Sequence, residues 1–172
     1  MLVVEPHFIL DNHLGKLATY LRILGFDAVY RNDYQDDTLA AKSVNLNKIL
    51  LTRDRQLLMR KTIRFGYLIR SLQPEEQIFE IFQRFNLTGI VKPYHRCLRC
   101  NVPLVAVDKN SILHRLQPKT KKYFQDFHLC PQCERVYWKG SHYERMVDSV
   151  MNILGQIGKN DNFQPGQSKK SI

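Results

Sequence analysis

Four cysteines stand in two pairs, Cys97-Leu-Arg-Cys100 and Cys130-Pro-Gln-Cys133, and no thiol is left over. A two-residue gap lets both sulfurs of a tight turn face one ion. Two such turns supply a closed tetrahedral set, the arrangement of structural zinc, in which the metal holds the fold and does no chemistry. Two disulfides, or a redox role for one pair, are the other uses of this spacing. The start of the chain, Met1 to His7, has no basic region followed by a long apolar run. The thiols are therefore expected in a reducing, cytoplasmic compartment. A redox motif does not need a twin. The interval Asn101 to Leu129 is longer than a common ribbon loop. His95, His114 and His128 are further donors, but four sulfurs suffice.

A second set of residues is acidic. Asp11 follows the run Phe8-Ile9-Leu10, and Asp54 follows Lys48-Ile49-Leu50-Leu51-Thr52 after one residue. Asp33, Asp36 and Asp37 come in or just after the polar loop behind Phe26 to Tyr30. Clustered carboxylates repel one another unless a cation joins them. Hard oxygen ligands with room for water suit magnesium or manganese, which can activate a water and stabilise charge developing on a phosphodiester. Arg53, Lys16 and Arg22 are cations near enough in sequence to contact phosphate. Each acid also has a plainer use, since Asp11, Asp36 and Asp54 each precede a helical stretch and a cap is worth about 1 kcal/mol. Spacing alone leaves both uses open. No Gly-rich phosphate loop and no Gly-x-Ser-x-Gly elbow occurs, which argues against nucleotide hydrolysis of the Walker type and against a serine nucleophile.

The elements that must position these groups follow from periodicity. Leu14, Leu17, Ala18, Leu21 and Leu24 recur at helical spacing, and Gly25 stands where a left-handed turn ends the helix. A second helix begins at Asp36 or Asp37, with Leu39, Ala40, Ala41 and Val44 facing inward. Gln56 to Lys61 reads as a short third helix, Phe65 to Arg70 as a fourth strand, and Pro74 opens a fourth helix with Ile78, Ile81, Phe82 and Phe85 as its buried stripe. Strand and helix alternate four times, which predicts an α/β fold with a mostly parallel sheet flanked by helices. Ligands of such sheets gather at the carboxyl ends of the strands. The boundaries expected are residues 1–92 for this domain, 93–157 for a zinc ribbon with a C-terminal helix from Ser141, and 158–172 for a polar, disordered tail.

Several stretches, in order, carry a resemblance. They are Phe8-Ile9-Leu10-Asp11 with Leu14-Gly15-Lys16-Leu17-Ala18, Leu21-Arg22-Ile23-Leu24-Gly25-Phe26-Asp27, Tyr30-Arg31-Asn32-Asp33 and Leu50-Leu51-Thr52-Arg53-Asp54-Arg55. Arg96-Cys97-Leu98-Arg99-Cys100-Asn101 and Cys130-Pro131-Gln132-Cys133, running into Val136 to Tyr143, complete the set. Over about residues 7–150 the chain resembles the Mut-seven C-terminal RNase family. The resemblance implies a PIN-like nuclease fold carrying a zinc ribbon, and metal-dependent RNA cleavage at a carboxylate cluster. It implies Asp11, Asp36 (with Asp37 beside it) and Asp54 as the acidic positions. PIN-like nucleases gather four acids, and Asp33 and Asp37 are candidates for the fourth, while Gln35 stands where an acid is expected. Some relatives carry a ubiquitin-like domain ahead of this region, and the short stretch before Phe8 is expected to hold none.

The net charge is +10, and it is unevenly shared. Residues 1–94 hold 13 Lys and Arg against 10 Asp and Glu, and residues 95–172 hold 13 against 6. A basic chain points to a polyanion, with RNA first, and no stretch approaches the roughly 20 apolar residues of a membrane span. Behind the second cysteine pair, Tyr137-Trp138-Lys139 and His142-Tyr143-Glu144-Arg145 interleave aromatics with cations, as single-stranded RNA contacts do. Packing of the ribbon onto the first domain is the other use of Trp138 and Tyr143. Lys119, Lys121 and Lys122 near Tyr123 form a basic run that is either a solvated loop or an RNA contact. The expectation is a ribonuclease with structural zinc and catalytic magnesium or manganese. Asp11, Asp36, Asp37, Asp54 and Arg53 serve its chemistry, and Lys16, Arg22, Lys139 and Arg145 hold RNA. A non-catalytic RNA-binding module and a protein-interaction adaptor are the alternatives, and protein partners are unspecified.

Overall fold

Phe8, Ile9 and Leu10 are each fully buried because they form the inner strand of a sheet covered on both faces. The computed structural model describes residues 5–158. The first four residues, and all of the expected 158–172 tail except Gly158, lie outside them. Strand β1 (Phe8–Leu10) is followed by a 3-10 turn (Asn12–Leu14) and helix α1 (Gly15–Ile23). Then come β2 (Ala28–Tyr30), α2 (Asp36–Asn45), β3 (Ile49–Thr52), α3 (Arg55–Leu58), β4 (Gly66–Leu68) and α4 (Pro74–Phe85). The strands pair in the order β2-β1-β3-β4, and every pairing is parallel. Phe8 lies opposite Ala28 on one side and Ile49 on the other.

Alternation along β1 sorts the core into two layers. Phe8 and Leu10 pack among Leu17, Leu21, Ile78, Ile81 and Phe82 of α1 and α4. Ile9 points the other way, onto Leu39, Leu50 and Leu57 beneath α2 and α3. Edge-to-face ring pairs seal the first layer, Phe8 with Phe85 at 5.4 Å and Phe26 with Phe82 at 5.8 Å. Gly25 closes α1 with φ +93°, and an added Cβ would sit 2.0 Å from the Lys92 carbonyl oxygen, so only glycine fits there. Two expectations need correction. Ala41 is exposed, and Ser43, four residues after Leu39, takes the inward place with its hydroxyl on the Ala40 carbonyl. The third helix ends at Leu58, short of Lys61.

The cysteine half is a three-stranded antiparallel sheet, β5 (Val105–Val107), β6 (Phe127–Leu129) and β7 (Val136–Tyr137). Short helices α5 (Lys109–Ile112) and α6 (Pro118–Tyr123) fill the long interval between β5 and β6. Its core is Ile112, Leu116 and Phe127, with Trp138 packed against it, so Trp138 serves the ribbon itself. Helix α7 (Ser141–Gly158) runs back, and Met146, Val147, Val150, Ile153 and Leu154 join the core layer of α1 and α4. Tyr143 makes the crossing, stacked on Tyr94 at 4.2 Å with its hydroxyl near the Ile23 carbonyl. Among the described residues no helix is long and apolar enough to cross a membrane.

Candidate metal centre and carboxylate edge

The two cysteine turns are near copies of each other. Asn101 N–H donates to the Cys97 carbonyl and Glu134 N–H to that of Cys130, each at 2.9 Å. Cys97 N–H reaches the Val102 carbonyl and Cys130 N–H that of Arg135, each at 3.0 Å. Asn101 and Glu134 take positive φ of 67° and 57° to close the turns. In each turn the second cysteine's amide donates to the first cysteine's sulfur, at 3.3 Å to Cys97 and 3.4 Å to Cys130. All four sulfurs lie within 4.8 Å of one another, and Cys97 and Cys133 are 3.7 Å apart. A tetrahedral ion with sulfurs at about 2.3 Å needs sulfur-sulfur edges of about 3.8 Å. The cysteines are free thiols. The donor set therefore fits zinc. His95, His114 and His128 are not in this group.

The electrostatics point the same way. Burial opposes a charge on Cys97, but the Tyr137 hydroxyl at 3.2 Å and the amides of Cys100 and Arg99 outweigh it and bring the thiol down to about 6. Cys100 is pushed up to about 12 by burial, by hydrogen bonding to Cys133 and by the charge on Cys97. Several thiolates in one place need a cation.

The ribbon is tied to the amino edge of the parallel sheet. Arg22 was expected to meet phosphate, and this is corrected: its side chain is buried. It donates to the Ala28 carbonyl at 2.9 Å, Leu98 at 3.0 Å and Arg99 at 3.2 Å, joining α1, β2 and the first cysteine turn. Asn101 accepts from Ala28 N–H at 2.9 Å and donates to Asp27 at 2.7 Å. Asp27 also takes Lys48 at 2.6 Å. Burial opposes its charge, yet the hydrogen bonds from Lys48 and Asn101 and the charges of Lys48 and Arg96 hold its carboxyl below the usual range. Arg96 donates to the carbonyls of Gly25 and Asn101.

The acids sit at the opposite, carboxyl edge. From β1 the chain steps outward to β2, and from β3 to β4, so the order reverses between β1 and β3. Crevices at such reversals are where open sheets bind ligands. Asp11 leaves β1 there and Asp54 leaves β3. Thr52 joins them, since its hydroxyl donates to Asp11 at 2.7 Å and accepts from Asp54 N–H at 2.9 Å. Asp11 is 7% exposed and has His13 at 3.5 Å. Asp54 caps α3, accepting from Gln56 N–H at 2.7 Å and Leu57 N–H at 3.4 Å. Asp11 and Asp36 cap nothing, so the capping use holds for Asp54 alone.

Asp36 and Asp37 open α2 and both meet Arg60, Asp36 at 3.6 Å. Asp33 is exposed and paired with Arg31, whose hydrogen bond holds its carboxyl below the usual range. Among the described residues, only the cysteines bring three or more metal-type donors within 4.8 Å of one another, so Asp11, Asp36 and Asp54 stand at one edge without closing on a point. Glu80, a further buried acid near β4, accepts from the Tyr67 hydroxyl and the amides of Arg70 and Ser71, bracing the turn after β4. Arg53, Lys16, Lys139 and Arg145 are exposed. Thr52, His13 and Arg60 were not anticipated. Thr52 had a signal, since a threonine ending a buried strand two residues before an acid offers a hydroxyl to the same edge.

A family model described as the Mut7-C RNAse domain matches residues 6–150, which include both the parallel sheet and the ribbon. No curated protein and no solved structure matches.

Proposed function

This chain belongs to the Mut7-C RNAse domain family, and on that premise we propose that it hydrolyses RNA phosphodiesters at the carboxyl edge of its parallel sheet. The observation that carries the reading is the Asp11-Thr52-Asp54 link at the point where strand order reverses. Asp11, Asp36 and Asp54 supply hard oxygen ligands of the kind magnesium and manganese take, and such an ion when bound lowers the pKa of a water and offsets charge on the phosphate. Thr52 holds Asp11 in place, and His13 stands beside it. Exposed Arg53, next to Asp54, and Lys16 on α1 meet the phosphate. Asp37 and Asp33 stand by as the fourth acid. The cysteines hold zinc, and Lys139 and Arg145 beside the ribbon hold single-stranded RNA. Four free thiols in two turns suit a reducing compartment such as the cytoplasm.

The test is cleavage of a labelled single-stranded RNA with added manganese, comparing wild type with Asp54→Asn. Asparagine caps helices as well as aspartate, so this change keeps the α3 cap and removes the ligand charge. Cleavage by wild type alone supports the carboxylate site. Equal cleavage by both moves the nuclease away from it. RNA binding without turnover is the second reading. It is favoured by Arg60, which already neutralises Asp36 and Asp37, and salt-dependent binding with no cleavage in either protein would select it.

A further inference from the structure

Between α6, β7 and the start of α7 lies a cavity of about 770 Å³, within the range of about 300–1,000 Å³ that small-ligand sites occupy. Its walls include Phe124, Tyr137 and Trp138, and its cations are Arg115 and Arg135. Among the described residues no carboxylate lines it. Trp138 lies 6.4 Å from Phe124 and 6.2 Å from Phe127, ring to ring, at tilts of 52° and 54°. Gly140 hems in the ring, since a Cβ there would sit 2.5 Å from the indole nitrogen. Among the described residues the indole N–H of Trp138 donates to no acceptor, and the guanidinium of Arg135 makes no hydrogen bond or ion pair. Arg115 spends one nitrogen on the Glu134 carbonyl and keeps the rest of its fork. The interval 101–129, which builds one side of the cavity, holds five Lys and Arg against two Asp.

We propose that this cavity binds a nucleobase of single-stranded RNA against Trp138 and Phe124, with the attached phosphate held by Arg135 and Arg115. The proposal rests on the RNase reading only for the identity of the polymer. An aromatic wall with an unpaired N–H suits a flat ring with carbonyl groups, and two cations with no opposing acid suit the phosphate beside it. An apolar peptide would leave both arginines unanswered. The ribbon is tied to the amino edge of the sheet, and the acids stand at the other edge. Strands of three or four residues set those edges on the order of 10 Å apart. The cavity therefore anchors the strand away from the bond that is cut.

Trp138 is the only tryptophan in the chain, so its fluorescence reports the cavity directly. The experiment titrates the zinc-loaded full chain carrying Asp54→Asn with a short oligouridylate, reading tryptophan emission and the anisotropy of labelled RNA together. Saturable quenching in step with the anisotropy is expected. Arg135→Glu, at an exposed side chain, and an abasic strand of equal length should each weaken binding about tenfold, the loss of one base stack or one phosphate contact. Binding with no change in tryptophan emission, equal binding of the abasic strand, or no binding at all overturns the proposal. Wild-type cleavage is read separately. Quenching without cleavage supports the cavity and removes the nuclease, and cleavage without quenching does the reverse.

Discussion

The four-cysteine cluster and the carboxylate edge are two ligand sets at opposite ends of one parallel sheet, and they differ in how complete they are. The cysteine turns are finished: two matched loops bring four sulfurs within 4.8 Å, with backbone amides already aimed at two of them. The acids share an edge, yet each is occupied locally, Asp11 by Thr52, Asp54 by the α3 cap, and Asp36 and Asp37 by Arg60. Ligands three residues apart are assembled by a turn. Ligands from separate elements are assembled by the fold, and like charges do not close up without a cation. The first set is part of the architecture, and the second is an edge whose acids the fold brings near one another without closing them on a point.

The largest expected effect follows from removing zinc. A strong chelator, or Cys97→Ser with Cys130→Ser, takes away a stabilisation on the order of 10 kcal/mol in zinc-dependent modules. Hydrogen exchange should then show β5, β6 and β7 losing protection before β1 and β3. Equal loss in both sheets would erase the difference between the two regions, and no loss in the ribbon would mean that it stands without metal.

Arg22→Ala comes next. It strips three carbonyls at the junction of a charged donor, so chemical denaturation should give a loss of about 3 kcal/mol. An unchanged midpoint would show that the ribbon does not depend on this tie.

Asp27 gives a smaller, pH-dependent effect. Its folded pKa lies below the ordinary 3.8, so its contribution is present above that value and is lost as pH falls through the folded pKa. Asp27→Asn should cost about 1–2 kcal/mol at pH 7 and nothing at the acid end of that window, flattening stability against pH below about 4. Parallel curves for the two proteins would assign the acid sensitivity elsewhere.

The smallest effect on stability is that of Arg60→Ala. Its partners are exposed, so unfolding should change by less than about 1 kcal/mol. If Arg60 competes with a cation at Asp36, manganese should bind more tightly to the variant, as measured by calorimetry. Weaker binding would mean that Arg60 orders the acids instead of blocking them.

The strands, α4, Gly25 and the cysteine turns were legible because each is specified by residues close together in sequence: short apolar runs, a 3.6-residue stripe, a glycine after the stripe, a repeated two-residue gap. Arg22 was misplaced because a cation on a helix reads as a solvent contact. Its one signal was position, four residues after buried Ala18 and so on the same face. Ala41 was misplaced because composition favoured alanine, while helical phase puts Ser43 inward. Asp54 shows that capping a helix and standing at the carboxyl edge of a strand are compatible, because one residue does both.

From sequence alone, the chain determined its family, the alternation of strand and helix, and a four-cysteine cluster, all properties of local spacing and of motifs in order. Only the tertiary structure decided that strand order reverses between β1 and β3, that Thr52 ties Asp11 to Asp54, that Arg22 and Asn101 fasten the ribbon to the amino edge, and that Arg60 sits on Asp36 and Asp37. Each of these joins residues from different elements. Which elements become neighbours is set by how whole apolar faces are buried against one another, and that is a property of the packed chain.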